Sequence, residues 1–87
     1  MNKYLVEFLG TLFLMYIILA VRNPLAIGSA LAIAIILGGH VSGGHFNPVV
    51  TGVMLMNKKL EPIHTLPYFL AQAAGGLLAL QIYKQSF

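Results

Sequence analysis

From Tyr4 to Val21 the chain runs for eighteen residues with a single charged side chain, Glu7. At 1.5 Å per residue a helix of that length reaches roughly 27 Å, close to the hydrocarbon thickness of a bilayer. The rest of the chain points the same way. Of its 87 residues, 59% are hydrophobic and only 8% charged, too little polar surface to coat a soluble globule, and the mean hydropathy is +0.86. The net charge of +3 comes from a few Lys and Arg near segment ends and not from a basic stripe with interleaved aromatics, which argues against nucleic acid as a partner. There is no cysteine, hence no reading of redox compartment. Lys3 ahead of an apolar run has the look of a signal peptide, but Glu7 interrupts the run and no small-residue cleavage pattern precedes Arg22, so the N-terminus is read as mature protein.

The composition thus predicts an all-α membrane protein, and the segments can be counted. The first spans residues 4–21. Arg22, Asn23 and Pro24 form a short connection, with Asn-Pro a turn starter and Pro24 suited to the first helical position. The second span covers 25–41 and carries Gly28, Ala30, Ala32, Ala34 and Gly38, small residues whose four-residue spacing lets helix backbones approach closely in lipid. The last, 64–83, repeats the device with Ala71, Gly75 and Ala79. Pro62 reads as a breaker before it and Pro67 as part of its opening.

Between the second and last spans lies SGGHFNPVV, Ser42 to Val50, followed by an apolar run too short to cross. Residues 47–57 reach roughly 16 Å as a helix, about half the hydrocarbon core. Asn47 is a good N-cap and Pro48 a good first helical residue, while Gly43 and Gly44 permit the backbone of a segment that dips inward and turns. Irregular backbone at membrane depth survives only where it is buried in protein or lines a water-filled cavity. The stretch is therefore expected to line a cavity, giving three transmembrane helices plus one re-entrant half-helix in a single domain, 1–87.

These residues resemble the aquaporin and glycerol-facilitator channels, the major intrinsic protein family. SGGHFNPVVT, Ser42 to Thr51, is similar to the family's first Asn-Pro-Ala loop with Val49 in place of Ala. EFLGT, Glu7 to Thr11, resembles its first-helix signature, and YFLAQAAGG, Tyr68 to Gly76, its third helix. Family members carry two inverted halves of three helices and a half-helix; this sequence carries the residues of one, the equivalent of one inverted repeat. The second Asn-Pro-Ala loop is missing from it, and with it the arginine that follows that motif's Asn by three positions; the matching position here is Val50.

The resemblance implies a passive membrane channel for water and small neutral solutes such as glycerol, completed by a second copy in inverted orientation or by a complementary half-channel, as inverted repeats do within one chain. Pores of this family gather in fours, which implies about eight chains. Lys3, Lys58 and Lys59 lie on one side and Arg22 and Lys84 on the other, a bias weak enough to permit both orientations. No cofactor is implied. Asn47 would cap its half-helix and offer its amide N–H to a passing oxygen. Gly43, Gly44 and His45 would present a ladder of carbonyls, Pro48 and Val49 the tip, and Ile27 and Val50 an apolar, relatively wide filter. Glu7, His40 and Gln72 would support the re-entrant loop.

Plainer readings compete with several of these. From position alone Glu7 equally well snorkels to the interface; a buried carboxylate bonded to the loop is what the resemblance implies. His40 and His45 have no acidic residue or cysteine near them in sequence, which argues against a metal site, and His64 reads as interfacial. Gln72 fits a bond to a neighbouring helix or a place at the lumen. A phosphate loop over Gly38 to Gly44 is excluded because His45 and Phe46 stand where Lys and Ser or Thr are needed. The only carboxylates, Glu7 and Glu61, are far apart in sequence and no nucleophile and base form an evident pair, so an enzyme is not expected. A non-conducting membrane fragment is the competing reading of the chain as a whole.

Overall fold

The computed structural model describes residues 1–86. Its helices are α1 (Lys3–Ala20), α2 (Pro24–Ser42), α3 (Pro48–Met56) and α4 (Thr65–Ser86), the last preceded by a 3₁₀ turn over Pro62–His64. Among the described residues there are no strands, and three helical segments are long and apolar enough to cross a membrane. The molecule extends 40 Å along its long axis and 23 Å across, matching a bilayer with its headgroup regions, about 40–45 Å. α3, with nine residues, covers only about 14 Å of that depth.

Asparagine starts each of the first three helices. Asn2 accepts from the amides of Tyr4 and Leu5, Asn23 from those of Leu25 and Ala26, and Asn47 from that of Val49 at 2.8 Å. In α2 and α3 a proline follows at once, where its missing N–H costs nothing. α2 stops at Gly43, whose φ of 91° is a left-handed cap that glycine adopts without strain. α4 continues to Ser86, three residues past the expected end at Tyr83, because Lys84 and Gln85 are helix formers and no glycine or proline intervenes.

α1 is the central element, packed against α4 on one side and α2 on the other, while α3 lies against α4. The α1–α2 contact is built on Ala30, Ala34 and Gly38, buried at four-residue spacing on α2. The stripe expected from sequence is thereby narrowed, since Gly28 and Ala32 face outward. On α4 the buried positions are Tyr68, Gln72, Gly75 and Ala79. Gly75 lies directly on the backbone of α1, so a methyl group there would come within 3.1 Å of the Leu12 nitrogen and 3.3 Å of the Phe8 carbonyl carbon.

Alanine substitution separates packing from propensity, because replacing a helical glycine gains up to about 1 kcal/mol of propensity at either site. Gly28→Ala, where an added Cβ meets nothing within 4 Å, is expected to leave stability unchanged or slightly raised. Gly75→Ala is expected to lose about 1–3 kcal/mol by overpacking. Unfolding of both variants in detergent titrations checks the contrast; an unaffected Gly75→Ala would mean that α1 and α4 do not meet there.

Candidate functional site

The re-entrant segment is organised around one side chain. Glu7, one turn into α1, has no exposed surface. Its Oε2 accepts hydrogen bonds from Ser42 Oγ at 2.7 Å and from the His45 amide at 3.1 Å, and its Oε1 from the Phe46 amide at 2.7 Å and Gln72 Nε2 at 3.0 Å. Four donors converge on a group with about four acceptor positions, which satisfies a buried carboxylate without any cation. The same bonds fix the turn that aims the chain at α3. Phe46 takes a left-handed φ of 56°, uncommon for a bulky residue. Its ring is buried with Val6 and Ala34 while its amide is held by Glu7.

A second layer backs the first. Gln72 Nε2 also donates to Thr51 Oγ1 at 2.8 Å, and Thr51 Oγ1 lies 2.9 Å from His45 Nδ1. The His45 ring packs against Tyr68, centroids 5.1 Å apart, and the Tyr68 hydroxyl donates to the Ser42 carbonyl at 2.6 Å. α1, α2, α3 and α4 each contribute to this one network.

What the network leaves unpaired is equally specific. Among the described residues no donor is bonded to the carbonyls of Gly43, Gly44 or His45. Asn47 spends its Oδ1 on the cap, and among the described residues its Nδ2 has no protein partner. Pro48 and Val49 are exposed at the tip of the half-helix, Val49 to 72%. A cavity of about 630 Å³ opens at the end bearing Lys58 and Lys59 and is lined by Ser42, Gly43, His45 and Tyr68. A second of about 610 Å³ lies beside Asn47 and Pro48, between Thr11 and Met15 of α1 and Gln72 and Gly76 of α4.

Glu7, Gln72, Gly43, Gly44, His45, Asn47, Pro48 and Val49 thus come together around the loop. Val50 is half-buried at the start of α3. Ile27 lies near the start of α2, half-buried. His40 is exposed on α2 and has no hydrogen bond to the loop among the described residues. Sequence reasoning overlooked Thr51, Ser42, Phe46 and Tyr68. Thr51 carried a usable signal, a lone hydroxyl inside an apolar run one turn after the cap. Ser42 and Phe46 act through a bond and a backbone angle that no residue pattern announces.

Comparison with known proteins agrees with this architecture. Residues 21–87 match the family profile described as Major intrinsic protein. The chain is 41% identical over 93 residues to Glycerol uptake facilitator protein-like 6 of Lactiplantibacillus plantarum, covering 97% of this chain and 43% of that protein. It is 31% identical over 97 residues to Aquaporin Z of Photorhabdus laumondii, covering 94% and 42%, and 36% identical over 63 residues to Aquaporin-8 of Mus musculus, covering 72% and 24%. The chain therefore spans less than half the length of these relatives. No solved structure matches it significantly.

Glu7→Gln keeps the side chain's size but leaves one acceptor oxygen for four donors and turns an NH₂ toward the loop amides. Leaving buried donors unsatisfied costs about 1–3 kcal/mol each, so a loss of at least about 3 kcal/mol is expected. Thr51→Val, which removes one hydroxyl at constant shape, is expected to lose about 1–2 kcal/mol. Comparing the two unfolding free energies in detergent checks the order; equal losses would remove Glu7 from the centre of the network.

Proposed function

This chain belongs to the major intrinsic protein family, and from that premise we propose that it forms half of a passive channel for water and small neutral solutes such as glycerol, completed by a second copy inserted in inverted orientation. It is an integral membrane protein with three membrane-length helical segments among the described residues. The observation that carries the reading is the run of carbonyls at Gly43, Gly44 and His45, leading to Nδ2 of Asn47, that have no partner among the described residues. Orphan peptide groups at membrane depth cost several kcal/mol each unless water reaches them. A file of water supplies that partner: the carbonyls accept its hydrogens, and Nδ2 donates to its oxygen.

The second half is inferred from the same surface. Asn47, Pro48 and Val49 are exposed at the tip of a helix that reaches only half of the bilayer, a position no lipid tail suits. An inverted copy would bring its own tip to the same level, seated in the cavity beside Thr11, Asn47 and Gly76. Lys3, near His64 and hence on the Lys58 and Lys59 side, sets three cationic side chains against Arg22 and Lys84, a bias that permits both insertions. The exposed Gly28 and Ala32 of α2 offer a smooth face on which such pairs would assemble into about eight chains.

In the paired pore the two half-helix N-termini each contribute about half a positive charge at the midplane, opposing cations and hydronium. Water bound to an Asn47 from each side has its oxygen engaged and cannot relay a proton there. Ile27 and Val50 of both copies would form a filter without arginine, apolar and wide enough for a polyol. The 41% identical relative named as a glycerol uptake facilitator supports counting glycerol among the solutes.

Liposomes holding only this purified chain, inserted in both orientations, are expected to pass water and glycerol faster than empty liposomes in stopped-flow light scattering. Flux equal to that of empty liposomes would overturn self-pairing. Asn47→Leu is expected to insert normally and return both fluxes to the empty-liposome level. Val50→Arg is expected to slow glycerol more than water; an unchanged ratio of the two would take Val50 out of the filter.

A further inference from the structure

His64, read from sequence as merely interfacial, joins two ends of the fold that are sixty residues apart. Its Nε2 lies 3.0 Å from Lys3 Nζ and its Nδ1 2.6 Å from the Tyr4 hydroxyl, so that both nitrogens of the ring are engaged by the first turn of α1. We propose that His64 is a proton-operated latch, holding the start of α1 against the connection between α3 and α4 while its ring is neutral and releasing it when the ring is protonated.

The chemistry of the two contacts fixes the protonation state in which the latch closes. An ammonium group has donors only, so Nε2 must be the acceptor, Nδ1 carries the ring proton, and the Tyr4 oxygen accepts it. That is one tautomer of the neutral imidazole. A further proton can go only to Nε2, where it would face the Lys3 ammonium, donor against donor and positive against positive at contact distance. The ring is faced by groups from several elements. From α1 come Lys3 and the neutral Tyr4, and from α4 Tyr68, edge-on to Tyr4 at 5.9 Å. Lys58 and Lys59 line the same cavity and add positive charge. Glu61, also on that cavity, is exposed and makes no side-chain bond to the ring among the described residues. The contact is therefore made by the neutral ring and broken by the protonated one.

Release would be felt at the re-entrant loop. Tyr4 packs edge-on against Tyr68, and Tyr68 both packs on His45 and holds the Ser42 carbonyl where α2 breaks. The latch belongs to this half alone and stands whether or not a pore forms.

The chain has no cysteine of its own, so spin labels can be placed on Leu5→Cys and Ile63→Cys, both exposed, and their separation measured by pulsed electron resonance in lipid nanodiscs. The measurement is made at the two ends of roughly pH 5 to 8, the interval in which histidine changes charge. A narrow distance distribution is expected at the upper end and a longer, broader one at the lower. His64→Gln offers one acceptor and one donor that do not titrate and is expected to stay narrow throughout; His64→Arg, permanently charged, is expected to be broad throughout. A distribution in the unsubstituted chain that ignores pH, a His64→Gln variant that broadens in acid as the parent does, or a narrow His64→Arg distribution would each overturn the latch.

Discussion

The structure depends on a carboxylate that is buried at Glu7 and wholly occupied by hydrogen-bond donors. Two of those donors are the amides of His45 and Phe46, which could not lie at membrane depth without acceptors. The dependence is mutual. An ionised carboxylate taken out of water is costly unless every lone pair is used, and the loop uses two of them, Ser42 and Gln72 the others. The left-handed Phe46 costs about 1–2 kcal/mol, which the two loop amides bonded to the carboxylate together offset at about 1.5–3 kcal/mol each.

The re-entrant loop is held in place by this arrangement, including the parts that touch no carboxylate. Because His45 and Phe46 are pinned from α1, the start of α3 at Asn47 is fixed and its side chain is left exposed. Because Gln72 bridges Glu7 and Thr51, α3 is fixed against α4, its main contact in the fold. The close α1–α4 approach at Gly75 is what brings Gln72 within reach. A larger residue at that position would separate the donor from the acceptor as well as the helices from each other.

At the end bearing the lysines, polar and aromatic side chains replace the small-residue packing of the membrane interior. Lys3, Tyr4, His64 and Tyr68 form a continuous chain of contacts that ends on the last residue of α2. Such contacts are few and directional, whereas the interior packing of Ala30, Ala34 and Ala79 has no direction to it.

The three spans, the half-length helix and its Asn-Pro start were legible in the sequence because length against bilayer thickness, helix caps and small-residue spacing are local properties. The family resemblance rested on equally local strings around Glu7, Asn47 and Gln72. Their convergence was not legible: nothing in the spacing of Glu7, Thr51 and Gln72 says that they share hydrogen bonds, since residues 65 positions apart meet only once α1 and α4 have packed. Nor could the sequence tell which small residues face protein, which is why Ala30 and Gly38 lie buried while Gly28 and Ala32 do not, or that His40 stays outside the loop network and His64 enters one of its own. The sequence by itself determined that this chain lives in a bilayer, folds as three crossings and a half, and breaks its backbone before Asn47, because hydropathy and capping act over a few residues. Only the tertiary structure decided which side chains satisfy that break and which peptide groups stay without a partner among the described residues, because hydrogen-bond partners are chosen by the packing of helices distant in sequence.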